Sequence, residues 1–119
     1  MNGKVLIVED QSDYRKILDG WLNSEYQIME AENGVAAVEK LMRQDVDLIL
    51  TDMNMPEMDG AGVIRAVRQG LKKQTPIIVI TTKGENSDRD RGLALGANGY
   101  ITKPLNIREF RETIMKFIS

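Results

Sequence analysis

The sequence predicts a doubly wound α/β fold, with a five-stranded parallel sheet in the order 2-1-3-4-5 and helices on both faces. Five short apolar segments alternate with five segments of helical character. Several of the apolar segments contain no alternating polar residues, which is typical of parallel strands buried on both faces. The chain has 119 residues, 42% of them hydrophobic, which is the size of one domain with a single core. We expect residues 1–119 to form that domain.

The five predicted strands are rich in Val, Ile, Leu and Thr, as strands on a buried pleated surface usually are. In chain order they are KVLIV at 4–8, YQIM at 26–29, LILT at 48–51, IIVIT at 77–81 and GYIT at 99–102.

Four of the five intervening segments carry apolar residues at helical spacing. The sets are Tyr14, Ile17, Leu18, Trp21 and Leu22; Val35, Val38, Leu41 and Met42; Val63, Ile64, Val67 and Leu71; and Ile107, Phe110, Ile114, Phe117 and Ile118.

The fourth helix, predicted over 87–95, has the weakest pattern. It has a polar start and contains Gly92, and its apolar stripe consists only of Leu93, Ala94 and Ala97. Glycine lowers helix propensity and a thin stripe buries little area. We expect this helix to be the least firmly packed.

Composition excludes several kinds of functional site. The chain has no cysteine and no histidine, which excludes disulfides, thiolate or imidazole metal ligands and a histidine phosphocarrier. The 16 basic and 18 acidic residues are spread along the chain, so we expect no nucleic-acid binding by this domain. Neither a signal peptide nor an apolar span of bilayer length occurs. The sequence therefore predicts a cytoplasmic protein without membrane contact.

Polar side chains that could bind a ligand or take part in catalysis lie at the ends of four predicted strands. They are Glu9 and Asp10 after the first strand, Asp52 after the third, Thr81 in the fourth and Lys103 after the fifth. In a doubly wound sheet these strand ends lie at one edge, where ligands bind.

Each of these residues also has a purely structural interpretation. The two acids after the first strand suit the start of a helix, capped by Ser12 or Asp13, and the lysine could be a solvated surface residue. The convergence of three acids, a hydroxyl and a lysine on one edge favours a functional site instead.

Three neighbouring carboxylates repel one another unless a cation compensates their charge. Mg²⁺ is the natural cation, because it prefers oxygen ligands and the chain offers no imidazole or thiolate. We expect Asp10 and Asp52 to be direct ligands, with Glu9 nearby or acting through water. An aspartate can also attack phosphorus, while a lysine and a divalent ion neutralise the transferring group. Asp52 is therefore the candidate for phosphoryl transfer.

Four segments in this order and spacing resemble the receiver domains of two-component response regulators, of the single-domain, chemotaxis-like kind: VLIVED, LILTDMNMPEMDG, IIVITT and GLALGANGYITKP. The resemblance runs from end to end and implies a flavodoxin-like (βα)5 receiver domain over 1–119. It implies a phosphorylation-dependent switch, not a conventional enzyme, that catalyses only its own phosphorylation and dephosphorylation. The implied partners are a histidine kinase and a downstream protein that binds the fourth helix, fifth strand and fifth helix. Chemotaxis is the implied pathway.

The resemblance also assigns roles to individual residues. It makes Asp52 the phosphorylated residue, Glu9 and Asp10 the acidic pair, and the backbone carbonyl of Asn54 a further Mg²⁺ ligand. It makes Thr81 the switch hydroxyl, Tyr100 the switch aromatic and Lys103 the phosphate-binding lysine, followed by a cis peptide bond to Pro104.

Three neighbouring positions are variable or unusual for such a domain. Thr82 stands where alanine is common and is expected to narrow access to Asp52. Lys83 and Asn54 lie at positions that set the lifetime of the phosphoryl group.

Other functions remain open at this point. The chain could be a receiver domain cut from a multidomain regulator. A magnesium-dependent phosphatase of the haloacid dehalogenase type also uses a strand-end aspartate, but it needs a second aspartate where Asn54 stands. A flavodoxin needs a hydroxyl- and glycine-rich phosphate loop, whereas EDQSD follows the first strand here. A structural module of the same fold has no need of the complete acid set.

Overall fold

A five-stranded parallel sheet organises the protein. The computed structural model describes residues 3–82 and 84–118. Its strands are β1 Lys4–Val8, β2 Gln27–Ala31, β3 Leu48–Asp52, β4 Ile77–Thr82 and β5 Gly99–Lys103, and its helices are α1 Ser12–Leu22, α2 Gly34–Arg43, α3 Gly60–Arg65, α4 Asn86–Leu95 and α5 Ile107–Met115. α3 continues as a π-helical segment, Ala66–Gly70. The strand order is β2-β1-β3-β4-β5, which confirms the predicted fold class and order.

Two apolar layers cover the two faces of the sheet. Val5, Ile7, Leu50 and Ile80 are among the strand residues that face α1 and α5, and the alternate strand residues face α2 and α3. The three central strands are buried on both faces, which explains why their sequences lack polar alternation. Among the described residues, no helix is long and apolar enough to cross a membrane.

The strand register places the polar strand ends side by side. Val8 pairs with Thr51, so Glu9 and Asp10 follow β1 at the level where β3 reaches Asp52. Asp52 pairs with Ile80 of β4, and Thr82 of β4 pairs with Lys103 of β5. The pairing of central apolar residues therefore fixes the polar residues along one edge.

The predicted apolar face of α2 is partly wrong. Val35 and Met42 are 42% and 68% exposed, and the buried residues are Gly34, Ala37 and Leu41. A Cβ on Gly34 would lie 2.4 Å from the carbonyl oxygen of Met58. The helix approaches the β3–α3 connection so closely that its smallest residues face inward.

α4 is the most weakly buried helix, as predicted, but its inward residues differ from the prediction. Gly92 is its only buried residue, and a Cβ there would lie 3.2 Å from the side chain of Val79. Leu93 is 38% exposed and Ala94 is exposed, whereas Leu95 and Ala97 pack against the core. Because Gly92 approaches Val79 closely, the face of α4 that packs on the sheet contains the glycine, and the predicted residues Leu93 and Ala94 point to solvent.

The structural interpretation, in which Ser12 or Asp13 caps α1, does not match the helix start. Gln11 is the capping residue, and its side chain makes no capping hydrogen bond. Ser12 and Asp13 lie inside the first turn and are exposed.

The guanidinium of Arg68, in the π-helical segment, bonds to the connection before β4 and to the connection between α4 and β5. It donates to the carbonyl oxygens of Lys73 and Thr75 at 2.9 and 2.8 Å. It also donates to the Gly96 carbonyl oxygen at 2.9 and 3.1 Å and to Asn98 Oδ1 at 2.9 Å. These bonds satisfy carbonyl groups at turns and fix the C-terminal end of α4 to the π-helical segment.

We predict that Arg68→Ala destabilises the domain by about 2 to 4 kcal/mol, because it leaves several carbonyl acceptors without their charged donor. Urea unfolding monitored by circular dichroism measures this. Arg65→Ala is the matched control, since Arg65 is exposed on the preceding turn and should change the free energy of unfolding by less than about 0.5 kcal/mol. Equal effects of the two substitutions would contradict the structural role of Arg68.

Candidate functional site

Three carboxylates meet at the carboxyl edge of the sheet. Glu9 and Asp52 are 0% and 6% exposed, and one oxygen from each of Glu9, Asp10 and Asp52 lies within 4.8 Å of the others. α1 holds the acidic pair, because Arg15 Nη1 donates to the carbonyl oxygens of Glu9 and Asp10 at 2.8 and 3.2 Å. The structure thus brings together the three acids that the sequence singled out.

Lys103 reaches into this acidic cluster from the end of β5. Its Nζ lies 3.0 Å from Asp52 Oδ2 and 3.0 Å from Glu9 Oε1, and its side chain is only 13% exposed. The bond to Asp52 is a hydrogen bond, whereas the contact with Glu9 Oε1 is an ion pair, and that buried oxygen has no hydrogen-bond donor among the described residues. The peptide bond from Lys103 to Pro104 is cis, as predicted.

The electrostatics of the cluster favour an additional cation. Burial raises the pKa of Glu9 to about 7, the Asp52 charge adds to this effect, and the Gln11 N–H and Lys103 oppose it incompletely. Burial also lowers the pKa of Lys103, but Glu9 and Asp52 outweigh burial, so its pKa is raised overall. Among the residues that the structure describes, the Lys103 ammonium therefore compensates the three acids only in part.

The donor set fits Mg²⁺. The residues present carboxylate oxygens, and the chain contains neither histidine nor cysteine, which matches the oxygen preference of this ion. The buried Glu9 oxygen that lacks a donor is a group that a cation would satisfy. Magnesium binding by Glu9, Asp10, Asp52 and the Asn54 carbonyl stays a prediction.

An open cleft of about 190 Å³ lies beside Asp52, and Asn54, Thr82 and Lys103 are among its lining residues. This volume accommodates a phosphoryl group with several waters, each of which occupies about 30 Å³. Thr82 is exposed and lines this cleft, and its effect on access to Asp52 stays a prediction. Lys83 lies outside the described residues.

Asn54 links the acidic cluster to α4. Its backbone N–H donates to Asp52 Oδ1 at 3.1 Å, and its side-chain amide donates to Asp88 Oδ2 at 2.8 Å. Asp88 belongs to the first turn of α4. Sequence reasoning missed this contact, because no local pattern pairs residues that are 34 positions apart.

The two predicted switch residues lie on neighbouring strands. Thr81 in β4 is 2% exposed. Tyr100 in β5 is 42% exposed, and its ring centre lies 5.4 Å from Arg89 Cζ of α4. The exposed tyrosine thus touches the helix that packs least firmly, while the switch roles of both residues stay predictions.

Gln11 and Tyr14 contact Lys103, and sequence reasoning missed both. Lys103 Nζ lies 3.4 Å from Gln11 Oε1 and 4.0 Å from the centre of the Tyr14 ring. The sequence placed Tyr14 on the apolar face of the first helix. The available signal was its position in the first turn of the helix that follows the acidic pair.

Residues 5–115 match the family described as the response regulator receiver domain. The chain belongs to this family. This match confirms the predicted family. Receiver domains are regulatory phospho-acceptors of two-component systems and not classical enzymes.

Three similar proteins illustrate the range of the family. The transcriptional regulatory protein ResD of Bacillus subtilis is 45% identical over 107 residues, which cover 89% of this chain and 44% of ResD. The chemotaxis response regulator CheY4 of Vibrio cholerae is 33% identical, with a TM-score of 0.89 and coverage of 98% of this chain and 99% of CheY4. The receiver domain of the sensor histidine kinase PA1611 of Pseudomonas aeruginosa, solved with magnesium in its active-site cleft, is 29% identical, with a TM-score of 0.88 and 98% coverage of both chains. This chain spans about half the length of the curated relatives it matches.

We predict that the metal-free domain loses stability as the pH rises from about 5 to 7.5. The pKa of Glu9 is about 7 in the folded domain and close to 4.5 when unfolded, so the folded state binds the extra proton and this contribution is lost as pH rises through 7. Glu9→Gln removes it, and we expect the wild type to lose about 1 to 3 kcal/mol more than the variant across this interval. Urea unfolding in chelator at several pH values measures the difference. If the free energies of unfolding of wild type and Glu9→Gln changed with pH in parallel, the pKa of Glu9 would not be raised in the folded domain.

Proposed function

We propose that this receiver domain is a phosphorylation switch that accepts a phosphoryl group on Asp52 from a histidine kinase, with Mg²⁺ as cofactor. The observation that supports this most directly is the Asp52 carboxylate at an open cleft, with the Lys103 ammonium 3.0 Å from its Oδ2. The neighbouring Glu9 and Asp10 complete an oxygen-rich cation site. Family membership supports the same reaction.

In the proposed reaction, an Asp52 carboxylate oxygen attacks the phosphorus of the phosphohistidine. The P–N bond breaks, its electron pair leaves with the imidazole, and a new P–O bond forms an aspartyl phosphate. Lys103 neutralises developing charge on the phosphoryl oxygens. Asp10, Asp52 and the Asn54 carbonyl would hold Mg²⁺, with Glu9 nearby or acting through water, and the ion would supply further charge neutralisation.

The switch would run from Asp52 to α4 and β5. The Thr81 hydroxyl donates to a phosphoryl oxygen, a bond without a counterpart in the unmodified domain. Its inward movement makes room for Tyr100 to turn from its exposed position, and α4 can shift because Gly92 is its only buried residue. The output surface is then α4, β5 and α5, which binds a downstream protein.

The output is more consistent with transcription than with chemotaxis. ResD, at 45% identity, is a transcriptional regulatory protein, whereas the chemotaxis regulator CheY4 is 33% identical. The expectation of chemotaxis, which rested on the resemblance alone, gains no support from the curated relatives. We propose a receiver domain that acts within a larger cytoplasmic regulator of gene expression, with residues 1–119 as the receiver unit.

A phosphatase of the haloacid dehalogenase type is disfavoured by the side chain two residues past Asp52. That position holds Asn54, whose amide is bonded to Asp88 and which cannot serve as the general acid.

We predict that acetyl phosphate labels Asp52 only when a divalent cation is present. Borohydride trapping followed by mass spectrometry locates the label. Asp52→Asn should abolish labelling, and Asp10→Asn should weaken magnesium binding severely. Asp13→Asn is the matched control, since Asp13 is an exposed acid beside the site and its loss should leave labelling within about twofold of wild type. Labelling of Asp52→Asn, or equal labelling in chelator, would exclude Asp52 as the acceptor.

We also predict that beryllofluoride with Mg²⁺, a mimic of the phosphoryl group, speeds or slows amide hydrogen exchange in α4 and β5 of the wild type. Thr81→Ala should bind beryllofluoride but show little of this change, because it lacks the hydroxyl that couples the site to Tyr100. Thr102→Ala, at the partner position on β5, is the control and should respond like the wild type. An unchanged response in Thr81→Ala would move the coupling to another residue.

A further inference from the structure

The Lys103 ammonium has four close neighbours of two different kinds. Two are carboxylates, Glu9 and Asp52, each at 3.0 Å. The others are uncharged: Gln11 Oε1 at 3.4 Å and the ring of Tyr14, whose centre is 4.0 Å from Nζ. Only the carboxylates change their charge or their partners when a metal ion binds or Asp52 is phosphorylated.

The contact with Tyr14 has the geometry of a strong cation–π interaction. The Lys103 side chain is 13% exposed, and such interactions strengthen as the cation loses water. Tyr14 is the third residue of α1, which is anchored to the sheet through the buried Leu18 and Leu22. The ring therefore sits on a rigid element.

The start of α1 would otherwise repel Lys103. The N-terminus of a helix carries partial positive charge, which disfavours a nearby cation. The negative face of the Tyr14 ring offsets this repulsion at the point where α1 meets the lysine.

We propose that Tyr14 is a positioning residue for phosphoryl transfer, which holds the Lys103 ammonium over the cleft when a metal ion and the phosphoryl group engage the carboxylates. This inference rests on the proposed function. A bound cation would compete with Lys103 for Glu9 and Asp52. Phosphorylation would convert the Asp52 carboxylate to an acyl phosphate, with one oxygen bridging to phosphorus and the other left as a neutral carbonyl oxygen. Tyr14 keeps its attraction for the ammonium through both events.

The first test needs no phosphorylation. The ε-methylene protons of Lys103, assigned by comparison with Lys103→Arg, should show an upfield ring-current shift in NMR spectra of the wild type, both in chelator and with saturating Mg²⁺. Tyr14→Phe should keep the shift and Tyr14→Leu should lose it. Absence of the shift in the wild type with Mg²⁺, or its persistence in Tyr14→Leu, would overturn the proposal.

The second test measures the rate of Asp52 labelling by acetyl phosphate at saturating Mg²⁺. We expect Tyr14→Phe to stay within about twofold of wild type and Tyr14→Leu to be slower by on the order of tenfold, with unchanged magnesium affinity in both. Ile17→Ala is the control on the same helix, since Ile17 is 41% exposed, and it should label at the wild-type rate. A wild-type rate in Tyr14→Phe would show that the aromatic ring of Tyr14, and not its hydroxyl, is required. The slower rate of Tyr14→Leu would show that an apolar side chain alone does not replace the ring.

The outcomes separate this proposal from the proposed function. Equal rates for Tyr14→Leu and wild type, or equally slow rates for Tyr14→Phe and Tyr14→Leu, would overturn the role of Tyr14 while Asp52 remains the acceptor. A wild type that is not labelled at Asp52 would overturn both, even if the ring-current shift shows that Tyr14 holds Lys103. Urea unfolding of each variant ensures that rates are compared between folded proteins.

Discussion

The ion pairing of Lys103 with Glu9 and Asp52 is the interaction on which the site depends. Buried carboxylates are unfavourable without a compensating charge, and the parallel sheet places Glu9 and Asp52 at 0% and 6% exposure. Burial raises the pKa of Glu9 to about 7, the Asp52 charge adds to this effect, and the Lys103 ammonium opposes it only in part. This incomplete compensation supports the proposed binding of a divalent cation, which would in turn favour the proposed phosphoryl transfer to Asp52.

The two ends of α4 are held in different ways, which would allow its N-terminal end to move while its C-terminal end stays fixed. Several hydrogen bonds from Arg68 fix the C-terminal end through Gly96 and Asn98. The N-terminal end is bonded to the segment after Asp52 through Asn54 and Asp88. If Asp52 is phosphorylated as proposed, movement there would displace the start of α4 about an anchored end, and the contact between Arg89 and Tyr100 would carry that displacement to β5.

Sequence patterns predicted the sheet and the acidic edge because both follow from short-range rules. Apolar segments without alternation specify buried parallel strands, and strand ends in such a sheet share one edge. The orientation of α2 and α4 depends instead on close approaches of Gly34 to Met58 and of Gly92 to Val79, which only the folded chain defines. The contacts of Tyr14 with Lys103 and of Asn54 with Asp88 are likewise long-range, and the expectation of chemotaxis rested on the resemblance, not on a particular residue.

Proteins similar to this chain serve different outputs. CheY4 has the same fold at a TM-score of 0.89 and is a chemotaxis regulator, whereas ResD is a transcriptional regulator at higher sequence identity. The α4–β5 surface exposes Leu93 and Tyr100 at 38% and 42%, with Arg89 beside the tyrosine ring. Burial of that ring would remove apolar area from this surface and release the guanidinium from its aromatic contact. Under the proposed switch, a single rotation of Tyr100 would thus change both the shape and the charge that a partner meets.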